Sequence, residues 1–395
     1  MSIRTGIRSV RVPESTLKPL RQGHPWVFKD SLIKVEVGGF VSLRDDRNRE
    51  VAWGLGDRGS IAVRVLGRGA APDRPLATWL RERVATADSA RAGLLPPQTD
   101  AYRVVSAAGD GLPGIVVDRY GPWAVLRLYS EGWVRHLEAL VQAVAALPWA
   151  RGVLRRYGVR RVDGRDGAEV LSGEAPPDAV VVSEAGMKLL VRPWVGQKTG
   201  AFLDQREHRL WVRRLGQGRS VANLFGYTGG FSVAAALGGA TFVETVDLAP
   251  EAIEDARAIF RLNDLDPNRH AFTVADAFEW SPKRPVDLLI ADPPSLTRGA
   301  RSDGAARAAY RKLHRGLAQH VPLEGLLCTS SCTARLDLAA WRRAVSDGLA
   351  PSGDWSWHWC STEPTDHPTA MGHGDGHYLK FAILRRRTDL VGSFS

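Results

Sequence analysis

The sequence predicts an α/β protein. A doubly wound sheet occupies the C-terminal half, preceded by a small β domain and a central α+β domain. Three observations carry this expectation. From about residue 186 onward, strand-like apolar runs alternate with helical periodicity. Before about residue 70 there are short apolar runs separated by Gly, Asp and Asn. Between these regions, strand-like runs surround helical segments. The length of 395 residues suits two or three domains at roughly 150 residues each.

Residues 1–72 hold strand-like runs at 32–37, 51–55 and 61–66 and read as an all-β module. The breaker cluster at 69–75 (GAAPDRP) marks its end. Residues 73–184 form the central domain, with a helix over 78–94 and strands at 103–106, 114–118, 123–129 and 152–156. Leu137, Leu140, Val141, Val144 and Leu147 share one face of a second helix. The segment 172–178 (SGEAPPD) reads as a turn or linker. Residues 185–395 carry strands at 220–225, 242–247, 271–274, 286–291 and 326–330. Helices are expected over 230–237 and 250–263, the second with Pro250 at a favoured first position. Two more are marked by Ala306, Tyr310, Leu313 and Leu317, and by Leu338, Trp341 and Val345. Strands at 355–360 and 378–384 close the domain as an antiparallel hairpin, giving a Rossmann-like sheet. Trp355, Trp357 and Trp359 alternate, so they are expected on one face, packed in the core.

The net charge is +10, and 45 of the 53 basic residues are arginine. Arginine's fork suits phosphate, so a polyanionic partner is compatible with this composition, as is a bland solvated surface. The run Arg155, Arg156, Arg160, Arg161, Arg165 reads as a solvated face. Cys328, Cys332 and Cys360 are too few for a disulfide scaffold and fit a reducing compartment. The N-terminus lacks an apolar signal region and no stretch of about 20 apolar residues exists. These features point to the cytoplasm and away from a membrane.

Three motifs carry chemistry. Asn223-Leu-Phe225-Gly226-Tyr227-Thr228-Gly229-Gly230 lies between a strand and a helix, where open α/β sheets bind ligands. Its glycines allow close approach of a nucleotide-type cofactor. Asp247, at the end of the next strand, can accept both ribose hydroxyls, and Asp276 follows the third strand as a candidate adenine contact. Asp292-Pro293-Pro294 leaves the fourth strand with its backbone fixed by two prolines. Ser330-Ser331-Cys332-Thr333 leaves the adjacent strand. Cys332 and Asp292 are therefore expected beside the cofactor. A thiolate there suits attack on carbon 6 of a pyrimidine, which makes carbon 5 nucleophilic toward a methyl donor. Cys328 and Cys360 are expected to pack only. His367, His373 and His377 lie near Cys360, but their spacing does not favour zinc, and no metal is expected. Asp366 and His367 precede the last strand and are candidate proton acceptors.

Taken together, the chain resembles the bacterial large-subunit (23S) ribosomal RNA methyltransferase I family, over nearly its whole length. The resemblance rests on His24-Pro-Trp-Val-Phe28, Gly109-Asp-Gly-Leu-Pro-Gly114 with Asp118-Arg119, and Gly186-Met-Lys-Leu-Leu190. It continues through Lys198-Thr-Gly-Ala-Phe-Leu-Asp-Gln205-Arg206, Tyr227-Thr-Gly-Gly-Phe231, Asp292-Pro-Pro294, Ser331-Cys332-Thr333 and Asp366-His-Pro368. It implies an N-terminal PUA-like RNA-binding domain, a class I methyltransferase sheet and S-adenosyl-L-methionine as cofactor. It also implies 5-methylcytosine as product. Phe225, Gly226, Tyr227, Thr228, Gly229, Asp247, Asp276, Asp292 and Gln205 would line the cofactor site. Pro293, Pro294, Lys198 and His367 would meet the substrate. Cys332 would be the nucleophile, and Asp292 would hold the cytosine near ring nitrogen 3. The partner would be ribosomal RNA, naked or in an assembling large subunit, with a homodimer left open. This sequence departs from the family at Leu296, where an aromatic is frequent, and at Arg311 and His314, where base-edge contacts are expected to differ.

Other readings stay in view. Exocyclic-amine methyltransferases also use Asp-Pro-Pro, but usually with an aromatic next to stack the flipped base, where this chain has Ser295. Uracil as the target base is a narrower variant. A non-catalytic RNA-binding assembly factor has no need of the cofactor and cysteine motifs.

Overall fold

The computed structural model describes residues 2–29, 35–296, 302–373 and 376–388. Residues 32–34 of the expected strand at 32–37 lie outside the described residues. The chain divides into two units. The first takes Met1–Gly186, Val191–Leu203 and Thr365–Gly376; the second takes Met187–Leu190, Asp204–Pro364 and His377–Ser395.

The first unit begins with β1 (Arg8–Arg11), α1 (Glu14–Arg21), β2 (Trp26–Phe28), β3 (Phe40–Arg44), β4 (Glu50–Gly56) and β5 (Ile61–Arg68). Their sheet has the order β1-β3-β4-β5-β2. The β1–β3 pair is parallel and the others antiparallel. The all-β expectation is corrected by α1. This helix is only eight residues long and contains Pro19, which reads as a breaker in sequence. Glu14 in the first turn and Lys18 and Arg21 in the last suit the helix dipole. Leu17 and Leu20 anchor it against Val12, Val27, Val41 and Leu43.

The same unit continues with α2 (Leu76–Ser89), β6 (Ala101–Ser106), β7 (Ile115–Tyr120), β8 (Trp123–Leu128), α3 (Leu137–Ala145), β9 (Gly152–Arg156), α4 (Arg160–Asp163) and β10 (Ala168–Gly173). A second sheet, β10-β9-β8-β7-β6, is backed by α2 and α3. Trp53, Leu55 and Leu66 from the first sheet share one core with Trp79, Leu80, Leu126 and Leu140. The expected helix over 78–94 starts and ends earlier, and β10 was not foreseen.

The arginine run around β9 and α4 also differs from expectation. Arg155 is buried and bridges Asp163 at 2.7 Å. Arg156 donates to the Pro193 carbonyl at 2.7 Å, and Arg165 lies 3.9 Å over the Tyr157 ring. Arg160, Arg161 and Arg165 are exposed. Two of the five arginines, Arg155 and Arg156, therefore tie the sheet to its surroundings, an arrangement spacing alone does not reveal.

A two-stranded ladder, β11 (Val180–Glu184) with β12 (Met187–Val191), lies where the chain passes toward the second unit. That unit comprises α5 (Arg206–Leu215), β13 (Ser220–Leu224), α6 (Gly230–Leu237), β14 (Phe242–Asp247), α7 (Pro250–Leu262), β15 (Ala271–Val274), β16 (Leu288–Ala291), α8 (Asp303–Ala318), β17 (Leu326–Ser331), α9 (Leu338–Leu349), β18 (Trp355–Ser361) and β19 (Lys380–Arg386). The sheet order is β15-β14-β13-β16-β17-β19-β18. Strands β13 to β17 are parallel and the final pair antiparallel. The central strand β16, Leu-Leu-Ile-Ala, is wholly buried, as suits a parallel strand covered on both faces. On one face Tyr310, Leu313 and Leu317 of α8 and Trp341 and Val345 of α9 pack against Leu289, Leu327 and Ala382. Asp337 caps α9 by accepting from the Ala340 amide at 2.6 Å.

The three tryptophans of β18 do not share a face. The β18–β19 register shifts between Trp357 and Trp359. Trp355 and Trp357 pack with the α8–α9 core, whereas Trp359 meets Trp211 of α5 at 4.9 Å. An extra residue in the ladder reverses the side-chain alternation after it.

Candidate active site

The chain builds the seven-stranded sheet of the second unit outward from β13 to β14 and β15, then crosses to β16 and β17 on the other side. The crevice outside β13 and β16 is the topological switch point, where open α/β sheets bind ligands. The glycine-rich loop leaves β13 there, and Asp292-Pro293-Pro294 leaves β16.

The loop is strained and tightly packed. Phe225 and Tyr227 have φ of 56° and 46°, in the left-handed region that side-chain-bearing residues avoid. The Gly226 amide donates to the Val246 carbonyl at 2.8 Å. The Tyr227 amide donates to Asp247 Oδ2 at 2.8 Å, and the Ala249 amide to Oδ1 at 2.9 Å. Asp247 thus ties the loop to the end of β14 while staying partly exposed. A Cβ on Gly226 would lie 2.7 Å from the Thr245 methyl. A Cβ on Gly229, whose φ is 78°, would lie 2.8 Å from Ala256 Cβ. Beneath the loop, Asn223 and Thr245 both donate to the Ser232 hydroxyl oxygen, at 2.9 and 2.7 Å.

Beside this loop, apolar side chains stand in the open. Leu248 is 70% and Phe278 57% exposed, and Phe278 meets Phe225 edge-on at 5.2 Å. Asp276 accepts from the Phe278 amide at 2.9 Å, which sets that ring's backbone. Exposed apolar flanks beside two carboxylates, Asp247 and Asp276, fit the adenosine of a nucleoside cofactor. Leu248 and Phe278 were not singled out by sequence reasoning; their place just after Asp247 and Asp276 was the available signal.

Asp292 and Cys332 end neighbouring parallel strands, with Ala291 opposite Thr329. Their loops are stitched together on both sides of Cys332. Ser330 donates its hydroxyl to Asp292 Oδ1. Beyond the cysteine, Ser295 and Thr333 hydroxyls lie 3.3 Å apart, and Tyr310 joins Thr333 at 3.0 Å and accepts from Ser331 at 2.7 Å. Burial pushes the Tyr310 phenol up, with Cys332 and Asp292 adding to the shift. Cys332 is half-buried and Cys328 fully buried. Burial pushes the Cys328 and Cys360 thiols up, so neither is poised to ionise. Pro293 is buried and Pro294 exposed.

His314 is not a base-edge contact. It is fully buried, sharing hydrogen bonds with the Tyr310 carbonyl at 2.7 Å and the Thr329 hydroxyl at 3.0 Å. Gln205 is buried against His208, which shares a second hydrogen bond with Ser361 at 2.9 Å and stacks on Phe381 at 4.2 Å.

Lys198 and His367 belong to the first unit. The Lys198 ammonium lies 4.6 Å over the Phe202 ring, and its carbonyl accepts from Arg127 at 3.0 Å. The next residue, Thr199, donates to buried Asp118 at 2.5 Å. His367 is buried beside Asp366, whose Oδ2 accepts from the Arg103 amide at 2.9 Å.

Residues 125–336 match the family model of S-adenosylmethionine-dependent methyltransferases, and residues 10–68 match a PUA-like domain. A ribosomal RNA large subunit methyltransferase of Deinococcus radiodurans is 36% identical over 95% of this chain and 97% of its own length. The chain belongs to this methyltransferase family. Another relative is the ribosomal RNA large subunit methyltransferase I of Cronobacter sakazakii, 32% identical over 92% of this chain and 95% of its own length. The fold is shared with a solved S-adenosylmethionine-dependent methyltransferase from Streptococcus mutans, with a TM-score of 0.83 at 23% identity, covering 96% of this chain and 100% of that one. The cofactor of this ribosomal RNA methyltransferase family member is S-adenosylmethionine. The glycine-rich loop after β13 and the carboxylates at or just past the ends of β14 and β15, with exposed Leu248 and Phe278 beside them, fit that group. No helix among the described residues is long and apolar enough to cross a membrane.

Proposed function

We propose that this enzyme methylates carbon 5 of a cytosine in large-subunit (23S) ribosomal RNA, in the cytoplasm, through a covalent adduct on Cys332. The observation that carries the reading is the double stitch between the Asp292 and Cys332 loops. It ties the Asp292 loop to the residues on either side of Cys332 at the switch-point crevice, which supports a carboxylate and a thiol acting together. Bound S-adenosylmethionine supplies an electrophilic methyl group. The Cys332 thiolate adds to carbon 6, forming a sulfur–carbon bond and moving the electron pair toward carbon 5, which becomes the nucleophile. Asp292, oriented by Ser330, holds the proton at ring nitrogen 3 of the adduct. Once carbon 5 carries the methyl group, loss of its proton to a base returns the electron pair and expels the thiolate. Asp247 and Asp276 would hold the ribose and adenine of the cofactor, and the 225–229 loop would face its methionine end. Gln205 supports that side through His208. Pro293 and Pro294 fix the backbone against the base, while Lys198 and His367 serve the RNA from the first unit.

Two measurements test this. Cys332→Ala should bind S-adenosylmethionine normally by calorimetry and lose RNA methylation by at least a thousandfold. Mass analysis of the product nucleoside should show the methyl on carbon 5 of cytosine. Full activity of the variant, or a methyl on the exocyclic amine, would overturn the mechanism. A product on uracil would replace only the base.

A further inference from the structure

Lys380 opens β19 and is 1% exposed. The antiparallel ladder sets it opposite Ser331, the residue before Cys332. Its ammonium donates to the main-chain carbonyl of Thr333, the residue after Cys332, at 2.6 Å, and to that of Tyr378 at 3.2 Å. One buried cation therefore grips the turn that carries the cysteine.

A buried ammonium is costly unless its surroundings compensate. Two neutral carbonyls compensate in part. The titratable groups that face it are Glu363, Cys332 and Asp337, each favouring the charged lysine against the burial that opposes it. Glu363 and Asp337 also serve other groups. Glu363 accepts from the Tyr378 and Leu379 amides at 2.5 and 2.8 Å and pairs with His377 at 2.8 Å. Asp337 caps α9. The attraction between Lys380 and Cys332 is reciprocal: a cation nearby favours the thiolate.

We propose that Lys380 is the positioning residue of this site, its buried ammonium favouring the Cys332 thiolate and fixing the turn that presents it to the base. The assignment rests on Cys332 as the nucleophile.

The test is site-specific alkylation. Iodoacetamide labelling of Cys332, followed by peptide mass spectrometry across pH, gives the thiolate midpoint in the intact enzyme. Lys380→Met, which keeps the apolar stem, should raise that midpoint by about one unit, or about tenfold less thiolate at neutral pH. Lys380→Arg should restore it. The acid limb of the methylation rate should move with the midpoint. An unchanged midpoint in Lys380→Met would overturn the assignment. If that variant does not fold, the wild-type midpoint decides: a value well below about 8.5 supports the proposal, and one at or above it refutes it. Full methylation by Cys332→Ala would remove the nucleophile reading while leaving the Lys380 effect on alkylation intact, so the two failures are distinguishable.

Discussion

Two buried histidines show how single residues link this fold to pH. Burial pushes His208 down to about 3 and His314 down to about 4. Both are neutral in the folded chain and protonate near pH 6.5 when it unfolds. Their contribution is present above about pH 6.5 and is lost as pH falls toward the folded values. Between about pH 7 and 5 each costs about 2 kcal/mol, as an order of magnitude. Denaturant unfolding at those two pH values should show the loss. His314→Gln, which can still bond Thr329 but cannot titrate, should show a smaller one; an equal loss in that variant contradicts the assignment. Neither histidine's role was legible from its sequence neighbourhood. His314 was expected near the base, but the ladder that carries Thr329 past α8 draws it inward.

At the scale of elements, the strand–loop–helix from β13 to α6 is where sequence and structure agree most fully. Its glycines were expected to permit close approach of a cofactor; what the structure adds is that a methyl group at Gly226 or Gly229 would collide with Thr245 or Ala256 of the protein itself. Gly229→Ala forces a side chain into the left-handed region, at about 1–2 kcal/mol, and against Ala256. Cofactor affinity should fall roughly tenfold by calorimetry while the circular dichroism stays unchanged; wild-type affinity would show that the loop does not shape the cofactor site. Other elements were illegible for stated reasons. Helix α1 has only eight residues, with Pro19 inside it, so its two apolar anchors, Leu17 and Leu20, do not stand out as a helix in sequence. The reversal of Trp359 depends on a register shift against β19, and pairing between distant strands leaves no mark in local alternation.

For the whole molecule, the net charge of +10 favours a polyanionic substrate. If phosphate contacts supply much of the affinity, log K for RNA should fall linearly with log salt, with a slope set by the number of phosphates neutralised. Fluorescence anisotropy with a ribosomal RNA fragment at about 50 to 200 mM salt measures this. A flat dependence would remove electrostatics as the source of binding. Part of the basic charge is unavailable to RNA: Arg64, Arg91, Arg103 and Arg155 are each paired with an aspartate inside the first unit.

By itself the sequence determined the alternating α/β order, the glycine-rich loop between β13 and α6, the acidic residues at strand ends and the cysteine motif. Apolar periodicity, glycine and proline are local causes, and these features follow from them. The tertiary structure alone decided which side chains meet. Ser330 reaches Asp292 across 38 positions of chain, and Lys380 grips the Cys332 turn from a strand 47 positions beyond Thr333. Such contacts depend on strand order and register, which no window of neighbouring residues encodes.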